Sequence, residues 1–75
     1  MTSFFLHKPE GDDRCVGQLA MVAALNVGLA GTSKEGVIEV FDVNDKEKLQ
    51  RIIEFARQTK LDLRRGPFAD SELVQ

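Results

Sequence analysis

The sequence predicts a single two-layer α/β domain in the order β-α-β-α-β, with two helices packed on a parallel or mixed sheet. Three observations carry that expectation. The chain has 75 residues, enough for one core, and a domain of this size buries roughly 60% of the surface its unfolded chain exposes. Hydrophobic residues make up 43% and charged residues 29%, a mixture too apolar for disorder and too varied for a fibre. Short β-branched or aromatic runs alternate with two segments of helical period, and strand-helix-strand connections of this length favour parallel pairing through right-handed crossovers. Residues 1–75 are therefore expected to form one domain.

The elements follow in order. Ser3-Phe4-Phe5-Leu6-His7 reads as a first strand, ended by the turn formers Pro9, Gly11 and Asp12. Asp12 or Asp13 is placed to cap a helix, since a carboxylate there accepts an unpaired backbone N–H and faces the positive end of the helix dipole. That helix runs to about Leu29, and Gly28 and Gly31 with Thr32 and Ser33 supply its stop. Val37-Ile38-Glu39-Val40-Phe41 is the clearest strand. After a turn, Asn44 and Glu47 have the spacing of a capping box, and Leu49, Ile52, Ile53 and Ala56 fall on one stripe of a second helix. Leu61-Asp62-Leu63-Arg64 alternates as a half-buried strand, ended by Gly66 and Pro67. The tail, residues 66–75, adds an edge strand or frays.

The first helix has no polar side suited to water. At 100° per residue, Cys15, Leu19, Val22, Ala23 and Asn26 group on one side, with Met21, Ala24, Leu25 and Gly28 opposite. A two-layer domain covers only one side of its helices, so Met21 and Leu25 are expected either to contact another chain, a second copy or a different protein, or to lie beneath the C-terminal tail. On the second helix Lys48, Arg51 and Phe55 share a stripe away from the assigned core. They form either a basic and aromatic strip for an acidic partner or a solvated surface on which Phe55 covers a sheet edge.

Composition excludes several function classes. A formal charge of -2 and a pI near 5.3 do not suit a general nucleic-acid binder, which needs excess Lys and Arg to displace counterions. No charge interrupts Cys15 to Ser33, but Gly17, Gln18, Asn26, Gly28, Gly31, Thr32 and Ser33 dilute the stretch below what a membrane span requires. One His and one Cys cannot furnish a structural zinc site, and no phosphate-binding glycine loop follows a strand. No metal or cofactor is expected. Gly28-Leu29-Ala30-Gly31 has GxxG spacing without basic residues and reads as a helix stop. His7 and Cys15 lack a third orienting group, so His7 reads as an exposed strand end. The single cysteine fits a reducing compartment, the cytoplasm.

Cys15 at the start of a helix is either a core residue on the stripe of Leu19 and Val22 or a thiol acidified by helix N–H groups and by Arg14. The layout of a strand, Arg14-Cys15 opening a helix, a strand ending near Asp42, a second helix and another strand resembles the TusA/SirA family of small sulfur carriers. That family's Cys-Pro-x-Pro hallmark stands here as Cys15-Val16-Gly17-Gln18. The resemblance implies Cys15 as a persulfide acceptor. The residues themselves favour a non-catalytic interaction module, a regulator or inhibitor, that uses Met21 and Leu25 with help from Lys48, Arg51 and Phe55.

Overall fold

The computed structural model describes residues 3–33 and 35–74. Six elements follow one another: β1 (Phe4–His7), α1 (Val16–Val27), β2 (Ala30–Thr32), β3 (Ile38–Val40), α2 (Lys46–Thr59) and β4 (Asp62–Arg64). They form one sheet in the order β2-β3-β1-β4, with every neighbouring pair antiparallel. The expected mixed α/β class and two helices are present. The expected β-α-β-α-β order and parallel or mixed sheet are replaced by β-α-β-β-α-β in the split βαβ arrangement.

One short strand causes the difference. Ala30-Gly31-Thr32 continues past the glycine stop of α1 and turns back into β3 through a tight hairpin, in which the Ser33 N–H donates to the Val37 carbonyl at 2.7 Å. Gly36, at φ +77°, supplies the left-handed residue of that turn. The hairpin reverses the chain once more than a plain crossover does, so β3 lies antiparallel to β1.

Local chemistry sets the helix ends. Cys15, in extended conformation, is the residue before α1 and its side chain makes no capping bond. Neither Asp12 nor Asp13 caps the helix as expected, since Cys15 stands in that position; the Asp12 carboxylate instead accepts the Arg14 N–H at 2.9 Å and the Arg14 Nε at 2.9 Å, because a short acceptor bonds most readily to the backbone two residues on. Gly28 at φ +95° ends α1, its N–H donating to the Ala24 carbonyl at 2.7 Å, so the helix stops before Leu29. The α2 cap is Asp45 rather than Asn44, accepting the Lys48 N–H at 2.7 Å. With Asp45 in that position Glu47 stands one place too early for a capping box.

Alternation along the strands divides the sheet into two faces. Phe4, Leu6, Ile38, Val40 and Leu63 point under the helices and join Ala20, Ala23, Val27, Ile52, Phe55 and Ala56 in the core. The other face carries the row Gly31, Glu39, Phe5, Arg64, set side by side by the strand register. The tail returns along β4: Val74 N–H donates to the Leu63 carbonyl at 2.7 Å, Arg65 N–H to the Glu72 carbonyl at 2.9 Å, and Arg64 and Leu73 form a single antiparallel bridge. It therefore lies as a short extra edge beside β4; Gln75 is outside the described residues.

Candidate interaction surface on the first helix

α1 packs on β2 and β3, beside α2, while α2 lies over β4. Its inward stripe is Ala20, Ala23 and Val27, with Val16 and Leu19 half-buried beside them. Those residues recur at three- and four-residue steps, so one helix face meets the sheet. The opposite side stands open. Leu25 is 83% exposed and Met21 66%, with Leu29 at 48% and Val22 at 46%. Met21 and Leu25 stand four residues apart on one ridge of the helix, and Leu29 follows just past its end. The tail is committed to β4 and leaves them uncovered, which removes one of the two alternatives expected for Met21 and Leu25.

The second group of expected contact residues does not assemble. Phe55 is 4% exposed and belongs to the core, since it lies 60° from Ile52 on the helix and the buried stripe is wide enough to include it. Lys48 is half-buried. Arg51 is exposed and bonded to Glu47 at 2.8 Å, four residues before it on the same helix. Two neighbouring cations, Arg64 and Arg65, are likewise engaged within the chain. Arg64 donates to the Ser71 carbonyl at 2.8 Å, while Arg65 meets Glu72 at 2.7 Å and stands 5.5 Å from the Phe4 ring centre. No basic and aromatic strip faces outward on α2.

Cys15 is exposed rather than buried in the core. The backbone N–H groups of Gln18 and then Gly17 favour the thiolate and hold its pKa below the ordinary thiol range. The thiol makes no capping hydrogen bond to them. Partial burial opposes them, and Lys8 adds a smaller positive influence. The positive charge is not that of Arg14, whose guanidinium grips Asp12 and donates to the Thr59 carbonyl at 2.6 Å. His7 is 9% exposed, not an open strand end, because the segment after β4 folds over it and its Nε2 lies 2.8 Å from the Gly66 carbonyl.

The described residues enclose no pocket and gather no three His, Cys, Asp or Glu side chains into a metal site. No helix among them is long and apolar enough to cross a membrane. The exposed apolar side of α1 and the thiol at its head stand out on a described surface where Phe68 and Leu73 are also exposed. Compared with protein-family profiles, curated proteins and solved structures, the chain matches none.

Proposed function

We propose that this chain is a non-catalytic interaction module, a regulator or inhibitor of the protein it binds, and that it docks through the outer face of α1. The supporting observation is the exposed pair Met21 and Leu25 on α1, with Leu29 exposed just past the helix, left open by a tail that goes elsewhere. Burying a side chain of this size yields about 2 kcal/mol, which is a factor of roughly 30 in affinity. The double variant Met21→Glu, Leu25→Glu is expected to keep its unfolding free energy within about 0.5 kcal/mol, as exposed positions do. A photo-cross-linking side chain at position 25 is expected to yield one discrete protein adduct, which Met21→Glu introduced beside it suppresses. Absence of any adduct, or an equal adduct from Arg57 on the exposed side of α2, sinks this reading.

The exposed, acidified thiol favours a second reading: a sulfur carrier of the TusA/SirA kind, with Cys15 receiving and passing on a persulfide sulfur. A reducing compartment such as the cytoplasm suits a free thiol in either case. The rate of Cys15 alkylation against pH separates the two together with Cys15→Ser. The thiol is expected to titrate below the reference of about 8.5. If Cys15→Ser abolishes the cellular role, the carrier reading holds; if the role survives and the α1 variant loses it, the interaction module holds.

A further inference from the structure

We propose that the occupant of the α1 face is a second copy of this chain, joined across the free edge of β2 so that two four-stranded sheets become one. This names the partner of the interaction-module reading and rests on it. The first argument is the state of the edge. In the β2–β3 register Ala30 faces Val40, Gly31 faces Glu39 and Thr32 faces Ile38. The bond from Ser33 N–H to the Val37 carbonyl fixes the phase of the ladder. Hydrogen-bonded positions alternate along an antiparallel pair, so Gly31 turns its backbone groups toward Glu39 while those of Ala30 and Thr32 point away from the sheet. Among the described residues no backbone hydrogen bond outside the sheet uses them. β2 also lacks the lysine, proline or bulge by which free edges are usually blunted.

The second argument is self-complementarity. A two-fold axis through Gly31 sets Ala30 of each copy opposite Thr32 of the other, so that the outward groups form four hydrogen bonds. It sets Gly31 opposite itself in the non-hydrogen-bonded position, where Cα atoms approach to about 4.5 Å and side chains crowd most. Glycine leaves that place empty. The Phe41 ring, 3.5 Å from where a Gly31 Cβ would stand, covers the seam on the sheet face opposite the helices.

The third argument concerns α1. Strands lie about 4.8 Å apart, so a helix set over β2 and β3 stands about 5 Å from the axis. The two α1 helices then run antiparallel about 10 Å apart, at the outer end of ordinary helix packing, with the exposed Met21 and Leu25 on the rim of their contact, on the side away from the sheet. No charged residue occurs between Cys15 and Ser33. The axis therefore brings no charged side chain of α1 or β2 against its copy, a condition that helps a surface meet itself.

Sedimentation of the whole chain from micromolar to near-millimolar concentration is expected to show a monomer–dimer equilibrium. Amide hydrogen exchange at Ala30 and Thr32 is expected to slow as concentration rises. Thr32→Pro removes an outward N–H without touching the β2–β3 bonds and is expected to weaken the dimer about 30-fold or more. A monomer at every concentration overturns the proposal, and so does a dimer whose exchange at Ala30 and Thr32 ignores concentration. In the latter case, loss of the dimer in Met21→Glu, Leu25→Glu leaves the α1 reading standing. A dimer that keeps its edge protection in that double variant upholds the pairing and overturns the α1 reading instead.

Discussion

Asp12 and Arg14 form the most connected polar pair in the molecule. The Asp12 side chain is 11% exposed and takes bonds from the Arg14 backbone and side chain, while the other end of the guanidinium holds Thr59, the last residue of α2. The pair thus fastens the entry of α1 to the exit of α2. Its side-chain hydrogen bonds from Arg14 lower the Asp12 pKa to about 2, below the unfolded value of about 3.9. A carboxyl group depressed on folding stabilises the native state above its unfolded pKa, and that contribution fades as pH falls through its folded pKa. Urea midpoints measured downward from neutral pH should therefore show a component lost between about pH 4 and 2, absent in Asp12→Asn. The sequence offered Asp12 as a helix cap. Its residue type was informative and its partner was not, because Arg14 competes for the same carboxylate only after the chain has turned.

At the scale of elements, α2 was the most legible. Its apolar period located Ile52 and Ala56 in the core, and its acidic start was visible, although the cap proved to be Asp45. Asp45→Ala removes the bond to the Lys48 N–H and is expected to cost about 1 kcal/mol in chemical denaturation. A loss under a few tenths would show that the exposed carboxylate does nothing for the helix. Phe55 was misplaced because an apolar stripe counted from four residues is narrower than the face a sheet covers. β2 escaped notice for a different reason: Ala30 and Gly31 are weak strand formers, and their pairing comes from β3 across the hairpin rather than from their own preferences. The unmet side of α1 was legible, since a helix without a charged or polar side announces surplus apolar surface. Which side would stay open followed only from the tail's course along β4.

For the whole molecule, missing one three-residue strand was enough to exchange a parallel sheet for an antiparallel one, since each reversal of the chain flips every later strand. Layering and core membership survived that error because they depend on alternation within elements and not on direction. The two borders of the sheet also came out unlike. At β4 the chain doubles back and uses the border itself, through Val74, Leu73 and the Arg65–Glu72 ion pair. At β2 nothing comparable intervenes among the described residues. That asymmetry bears on polymerisation. Strands that recruit strands can grow into filaments when each unit offers two receptive ends, but here one end is already spent on the molecule's own tail. Under the proposed pairing, copies that meet at β2 would present outward only the borders lined by their tails, so recruitment is expected to stop after a single step.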